Sequence, residues 1–520
     1  MASAPKPGDV ASFDLPDEAA TLAFAKWLAG FVRPGDFIAL SGDLGAGKTT
    51  LARGFLRALT GDPELEAPSP TFTLMQIYQG PSFPAVHADF YRLRSAEELA
   101  QLGWEEAVDG AVVLLEWPDR AAAALPPDRL EIALTFDLSR GPDCRRAEAR
   151  AFGAFAERFA RERAAQSLLR RAGWAEARRA PLRGDASVRA YERLAASGGR
   201  TAILMISPPR PDGPIVRYGK PYAAIAKLSP DIRAFLAMAE GLRALGYSTP
   251  RVIAASVAEG LALLEDFGAE TIANERDAIA ERYAAATELL ADLHGRSPPR
   301  ELPVDGGTYA PPVYDVEAML VEVELALEWH APAIARIVVP SGARMRFLGL
   351  WRDILAPILA QPTTWTLRDY HSPNLHWLAD RDGLRRVGLL DFQDATFGPP
   401  AYDLASLLQD ARVDVPDELE RRLLGLYLRR RAAADPSFDA SAFSASYAAM
   451  GAQRASKILG LFARLAKRDG KPQYLQHLPR VERRLARNLA HPLLQPLKLW
   501  YQSHLPRALG DAVDPPQSPA

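Results

Sequence analysis

The chain has 520 residues, 48% hydrophobic and 24% charged, which is the composition of a folded globular protein, too long for one ordinary domain. Sixty-two basic residues against 64 acidic ones leave a formal charge of −2. That lacks the basic excess of an autonomous nucleic-acid binder, so no direct nucleic acid binding is expected. The single cysteine, Cys144, excludes an internal disulfide framework and a Cys-based zinc site, and it suits a reducing cytoplasm. No apolar run reaches the ~20 residues that span a bilayer. The start, Met1 to Pro7, lacks the basic and apolar stretches of a signal peptide, so a cytoplasmic protein with no membrane partner is expected.

Residues 1–160 alternate strand-like and helix-like segments, the pattern of an α/β domain with a mostly parallel sheet. Thr21 to Phe31 is an amphipathic helix, and Pro34-Gly35 turns the chain into the apolar strand Phe37 to Leu40. A glycine-rich loop leads into a helix from Lys48 to about Leu59. Further strands are Thr73 to Tyr78, Ala85 to Ala88, Ala111 to Leu115 and Leu130 to Phe136. Ala147 to Gly173, rich in Ala and Arg, reads as a helix bridging to a second domain at 161–510. That domain opens with a hairpin, Val188 to Leu194 and Thr201 to Ile206 around Gly198-Gly199. A helix after Asp231 and strands near Val252 and Leu261 follow, then mainly helices. A β-rich lobe followed by a helical lobe predicts a bilobal α+β domain. The tail 511–520, with three prolines, is expected to be disordered.

The strongest local signal is Gly42-Asp43-Leu44-Gly45-Ala46-Gly47-Lys48-Thr49, followed by Thr50, which fits G-x-x-x-x-G-K-[ST] between a strand and a helix. Backbone N–H groups of such a loop curl around phosphate oxygens, Lys48 reaches the outer phosphates, and the Thr49 hydroxyl is placed to ligate Mg²⁺. The plain alternative is a glycine-rich turn before a helix. Asp89 and Glu116 each end an apolar strand, where open α/β sheets gather ligands. Taken singly, each also reads as a loop acid. With Ser69 to Leu74, His87 to Leu93 and Leu114 to Arg120 in this order behind the P-loop, residues 10 to 160 resemble the TsaE (YjeE) family. These are P-loop ATPases of bacterial tRNA threonylcarbamoyladenosine synthesis. The resemblance implies Glu116 as a Mg²⁺ ligand, Trp117 as a contact on the base side, and Asp89 as a functional acid near the phosphates. It places Thr71 in a segment that senses nucleotide. It also implies TsaD and TsaB as partners of a regulatory ATPase. Pro118-Asp119 after the tryptophan is a small departure.

The second domain carries Leu367-Arg368-Asp369-Tyr370-His371-Ser372-Pro373-Asn374, with Asp391-Phe392-Gln393 beginning seventeen residues after Asn374. This is the kinase arrangement, in which a loop Asp accepts the proton of the attacking hydroxyl, and an Asn and a later strand-end Asp hold magnesium. Two acidic loops without a common site are the plain alternative. With Gly184 to Tyr191, Leu263 to Gly268 and Asp391 to Leu407, residues 166 to 500 resemble the aminoglycoside phosphotransferase/choline kinase superfamily, and specifically its AmgK subfamily. That resemblance implies a protein-kinase-like fold and ATP-dependent phosphorylation of the anomeric hydroxyl of N-acetylmuramate and N-acetylglucosamine, in cell-wall recycling. It makes Asp369 the base and Asn374 and Asp391 the magnesium ligands. Gly184 and Ser187 would cover the phosphates, and Glu265 and Phe267 would sit at the hinge beside adenine. Asp403 would brace the catalytic loop, and His294 would pack.

Two departures stand out. Leu367 replaces a histidine of the wider superfamily, and Met205 stands where many kinases carry the phosphate-pairing lysine. Arg189, Arg217 and Lys220 are candidate substitutes, although a solvated surface charge is the default for each. The pattern therefore favours a bifunctional ATPase and amino-sugar kinase. A second domain acting as a non-catalytic nucleotide-binding switch stays open, as does a kinase for an aminoglycoside, choline-like alcohol or other hydroxyl acceptor.

Overall fold

The computed structural model describes residues 8–93, 98–99, 103–182, 189–210, 213–275 and 277–512. The chain divides into two units, 1–171 and 172–520. Gly184, Ser187 and most of the tail 511–520 lie outside the described residues.

The first unit runs β1 (Asp9–Leu15), α1 (Glu18–Ala29), β2 (Phe37–Gly42), α2 (Lys48–Thr60), β3 (Met75–Gln79), β4 (Pro84–Asp89), α3 (Trp104–Val108), β5 (Val112–Glu116), β6 (Arg129–Phe136), β7 (Arg145–Phe152) and α4 (Ala154–Arg171). Its seven strands lie in the order β1-β7-β6-β2-β5-β4-β3. The expected parallel core is β6, β2, β5 and β4, and antiparallel strands flank it on both edges. Val112 to Glu116 are all buried, as a strand covered on both faces must be.

The segment expected to be helical from Ala147 needs correction, because its first part is strand β7. Ala147, Ala149 and Ala151 are fully buried while Arg146, Glu148 and Arg150 alternate with them toward the other face. Pairing with β6 on one side and β1 on the other overrides the helical preference of alanine and arginine. The helix begins only after Gly153, whose φ of 58° turns the chain. Strand β1 was not foreseen.

In the second unit, β8 (Arg178–Leu182), β9 (Ala190–Ala195), β10 (Thr201–Ile206), α5 (Ile232–Ala244), β11 (Val252–Ser256) and β12 (Leu261–Glu265) come first. They form an antiparallel sheet in the order β11-β12-β10-β9-β8. The turn at Gly198-Gly199 uses positive φ at both residues, 75° and 73°. Then come α6 (Ala280–Leu293), α7 (Val316–Leu325), α8 (Ser341–Leu359), the short strands β13 (Thr364–Thr366), β14 (Leu375–Trp377), β15 (Val387–Leu389) and β16 (Thr396–Gly398), and α9 (Ala401–Leu408), α10 (Asp417–Ala434) and α11 (Ala440–Lys467). Helix α11 runs through the centre of this lobe. Gly460 lets it touch the end of α7, since a Cβ there would lie 2.0 Å from the Leu325 carbonyl carbon. The unit is thus a β-rich lobe joined to a helical lobe, as its sequence predicted. No helix among the described residues is long and apolar enough to cross a membrane.

Candidate functional sites

In the first unit, β2 delivers the chain into the glycine loop. Gly42 has φ 137° and passes so close to β6 that a Cβ would meet the Leu134 carbonyl oxygen at 2.3 Å. Only glycine fits there. Gly45 and Gly47 also take positive φ, 79° and 105°, and Gly47 starts α2. Ala46 is buried, Asp43 and Leu44 are exposed, and Thr50 is half-buried on the first turn of α2.

Lys48 is buried, and its Nζ donates to the carbonyl oxygens of Gly42 and Asp43 at 2.8 and 2.9 Å. Burial pulls its pKa below the ordinary lysine value, against the opposing fields of Glu116, Asp89 and Asp43. The Thr49 hydroxyl donates to Glu116 Oε2 at 3.1 Å. The parallel register sets Asp89 beside Glu116 at the strand ends. Asp89 accepts hydrogen bonds from Ser69 Oγ, from Thr71 Oγ1 at 2.7 Å and from the Tyr91 amide at 2.8 Å. Trp117 takes φ 60°, which lays its ring over Lys48 Nζ at 4.0 Å and against Tyr91 at 5.0 Å.

Sequence reasoning passed over one residue here. His87, fully buried, meets Glu116 Oε1 through Nε2 at 3.0 Å. Its signal was a lone imidazole in an otherwise apolar strand, two residues before Asp89 and so on the same face.

In the second unit, a cavity of about 630 Å³ lies between the lobes, and Asp369, Asn374, Asp391, Glu265 and Phe267 all line it. Asn374 Nδ2 donates to the Asp369 carbonyl at 2.9 Å and reaches Asp391 Oδ2 at 3.5 Å. Asp391 sits at φ 57° just beyond β15 and accepts from Gln393 Nε2 at 2.9 Å. Burial raises its pKa, Arg189 opposes that, and the neighbouring Asp369 adds to it. The loop is braced from below. Asp403, on α9 and fully buried, accepts from the backbone N–H of Leu367 at 2.6 Å and of Arg368 at 2.8 Å. His294 packs beneath, its Nδ1 2.9 Å from the Tyr427 hydroxyl. At the end of β12, Glu265 accepts from the Arg251 amide at 3.1 Å and from Arg381 at 2.6 Å. The Phe267 ring closes on Gly388, where a Cβ would approach it to 2.8 Å.

Met205 is fully buried in the core, opposite Tyr191 and Ala262, while its neighbour Ile203 lines the cavity. The surface default for Arg189 fails. Its guanidinium lines the cavity and lies 3.1 Å from Asp391 Oδ1. Arg217 is engaged by Glu324, with Glu317 at 3.6 Å, and Lys220 is exposed. A buried cluster on the helical side of the cavity had no signal in the sequence. Glu322 there binds Arg368 Nη2 at 2.5 Å and Lys457 Nζ at 2.7 Å. Burial works against the Lys457 ammonium, but Glu322 outweighs it and holds its pKa above the ordinary value.

Both donor sets suit magnesium, a hard cation bound through one or two carboxylates plus phosphate oxygens and water. In the first unit the oxygens are the Thr49 hydroxyl and Glu116, and in the second they are Asn374 Oδ1 and Asp391. Among the described residues no three His, Cys, Asp or Glu side chains form an all-protein metal cage.

The family described as threonylcarbamoyl adenosine biosynthesis protein TsaE matches residues 15–143, and the phosphotransferase enzyme family matches 178–439. The chain is 40% identical over 358 residues to the N-acetylmuramate/N-acetylglucosamine kinase of Caulobacter vibrioides, covering 66% of this chain and 97% of that one. It is 30% identical over 322 residues to the kinase of the same description from Pseudomonas aeruginosa, covering 60% and 85% of the two chains. The tRNA threonylcarbamoyladenosine biosynthesis protein TsaE of Rickettsia typhi is 42% identical over 120 residues, covering 23% of this chain and 83% of that one.

Proposed function

From a chain that belongs to the TsaE family in its first unit and to the phosphotransferase enzyme family in its second, we infer a bifunctional enzyme. The first unit hydrolyses ATP in support of tRNA threonylcarbamoyladenosine formation, with TsaD and TsaB homologues as partners. The second transfers the γ-phosphoryl group of ATP to the anomeric hydroxyl of N-acetylmuramate or N-acetylglucosamine, in cell-wall recycling.

The kinase reading rests on one observation above all, the convergence of Asp369, Asn374 and Asp391 on a single cavity large enough for a nucleotide and a sugar. Asp369 takes the proton of the attacking hydroxyl. The sugar oxygen bonds to the γ-phosphorus as the bond to the bridging oxygen breaks and ADP departs. Asn374 and Asp391 would hold magnesium, which when bound neutralises phosphate charge and aligns the γ-phosphoryl group. Arg189 supplies a cation on the phosphate side in place of the missing lysine. Asp403 fixes the loop so that Asp369 meets the hydroxyl in line. In the first unit the P-loop amides and Lys48 cradle the phosphates, and Thr49 and Glu116 would hold the metal. Asp89 ties the Ser69–Thr71 segment to the phosphate edge.

The test is incubation of the whole chain with Mg-ATP and, separately, N-acetylmuramate, N-acetylglucosamine, an aminoglycoside and choline, with products read by mass spectrometry. A sugar 1-phosphate that disappears in Asp369→Asn supports the kinase. Product only with the aminoglycoside or choline reassigns the acceptor. No product with any acceptor removes the kinase reading. For the first unit, the whole chain should retain TsaD–TsaB in the presence of ATP and lose them in Lys48→Ala.

A further inference from the structure

On the helical wall of the second-unit cavity, one cation stands apart from the acids that line it. Lys457, Leu461 and Arg464 of α11 all line the cavity. Their spacing of four and three residues puts them on one helix face. Lys457 is already engaged by Glu322, and that one carboxylate also serves Arg368. Arg464 is different. Among the described residues its side chain has no hydrogen bond or ion pair, and its Nε is buried with no partner. Its guanidinium lies 5.5 Å from the Tyr222 ring, which also lines the cavity.

The fields of Tyr222, Asp469 and Glu328 support the Arg464 charge, and that of Arg468 opposes it. Asp469 is held by Arg468 at 2.6 Å and Glu328 by Arg344 at 2.8 Å. Burial drives the Arg464 pKa below the ordinary arginine value, so its surroundings do not compensate the charge. A guanidinium with its fork unpaired on a cavity wall matches a carboxylate, which it can grip through two parallel N–H donors.

The placement fits a sugar acceptor. The field of Asp369 reaches Lys457, and Arg464 lies seven residues further along α11, ~10.5 Å by helix rise. A sugar whose hydroxyl meets Asp369 shares the cavity with both Lys457 and Arg464. Leu461 between them offers an apolar contact. N-acetylmuramate differs from N-acetylglucosamine by a lactyl ether, which carries a methyl group and a carboxylate on the side of the ring away from the anomeric carbon.

We propose that Arg464 is the anion subsite of the acceptor pocket and binds the lactyl carboxylate, so that this residue sets the preference between the two sugars. The assignment rests on the kinase reading above. Its test is steady-state kinetics of the whole chain with each sugar, for the wild type, Arg464→Met and Arg464→Lys. In Arg464→Met the ratio of kcat/KM for N-acetylmuramate over N-acetylglucosamine falls about 10- to 100-fold, the value of a charge-assisted bond pair. The loss appears in KM for N-acetylmuramate rather than in kcat, because the carboxylate takes no part in the chemical step. Arg464→Lys recovers part of the ratio. A ratio equal to wild type overturns the subsite, whether both sugars lose activity together or neither does. Wild-type chain that phosphorylates neither sugar removes the kinase reading itself, which is a separate result.

Discussion

Asp403→Asn isolates the brace under the catalytic loop. The Asp403 carboxylate is fully buried, and its two oxygens each accept one backbone N–H, from Leu367 at 2.6 Å and Arg368 at 2.8 Å. Arg368 is held at φ 67°, a left-handed conformation that costs a non-glycine residue ~1–2 kcal/mol. An amide has the same shape but one acceptor oxygen, so its NH₂ must face one of the two N–H donors. A charge-assisted bond worth ~1.5–3 kcal/mol is lost and a buried N–H is left unpaired. These contributions overlap, and the net expectation is ~3 kcal/mol of lost local stability. The assay is amide hydrogen exchange by mass spectrometry, because local opening is read peptide by peptide without assuming a single unfolding transition. Peptides spanning Thr364 to Ser372 should exchange about 100-fold faster, at 1.4 kcal/mol per decade. Peptides from the first unit should not change. Unaltered exchange in the loop, with a variant that binds ATP and phosphorylates sugar as wild type does, would refute the brace.

Three further outcomes follow from particular contacts. In an Asp369→Asn background, which removes transfer to sugar, Lys48→Ala should lower phosphate release from ATP about 100-fold or more; release within threefold of the parent would remove Lys48 from the chemistry. His371 is held neutral by burial and by Arg412, Arg454 and Lys457, which together outweigh Asp410 and push its pKa from 6.5 down to about 3. The unfolded chain binds that proton below pH ~6.5 and the folded chain does not, so stability falls as pH drops from ~6.5 toward ~3. At pH 5 the loss is ~2 kcal/mol, and a thermal melt of His371→Gln should show a shallower pH dependence than wild type over pH 7.5 to 5. Gly460→Ala forces a Cβ against the α7 backbone and should destabilise the second unit by ~3 kcal/mol. Gly349→Ala, in α8 with open space around it, should stabilise by ~0.5–1 kcal/mol. Equal melting temperatures for the two alanine variants would contradict the packing described.

The contiguous motifs were legible because their chemistry is local. The loop from Gly42 to Thr49 must turn, expose N–H groups and open a helix within eight residues, and those demands fix residue types at fixed spacing. The same holds for Asp369 and Asn374, five residues apart on one loop, and for strand-end acids such as Asp89 and Glu116. Strand β7 was misread because alanine and arginine favour helix, and only the neighbouring strands β1 and β6 provide the pairing that makes it a strand.

The cations were decided by tertiary structure. Arg189, Arg217 and Lys220 look alike in sequence, yet one reaches Asp391, one is engaged by Glu324, and one faces solvent. His87 bound to Glu116, and the Glu322–Arg368–Lys457 cluster, join residues up to 135 positions apart. Residue order alone was enough to read both fold classes and to locate the two loop motifs and their acids. Only the folded chain decided which positive charges those acids meet and which, like Arg464, are left for a ligand. The reason is physical: backbone turns and metal ligation are short-range constraints written into neighbouring residues, whereas the pairing of a long flexible cation depends on every element that packs around it.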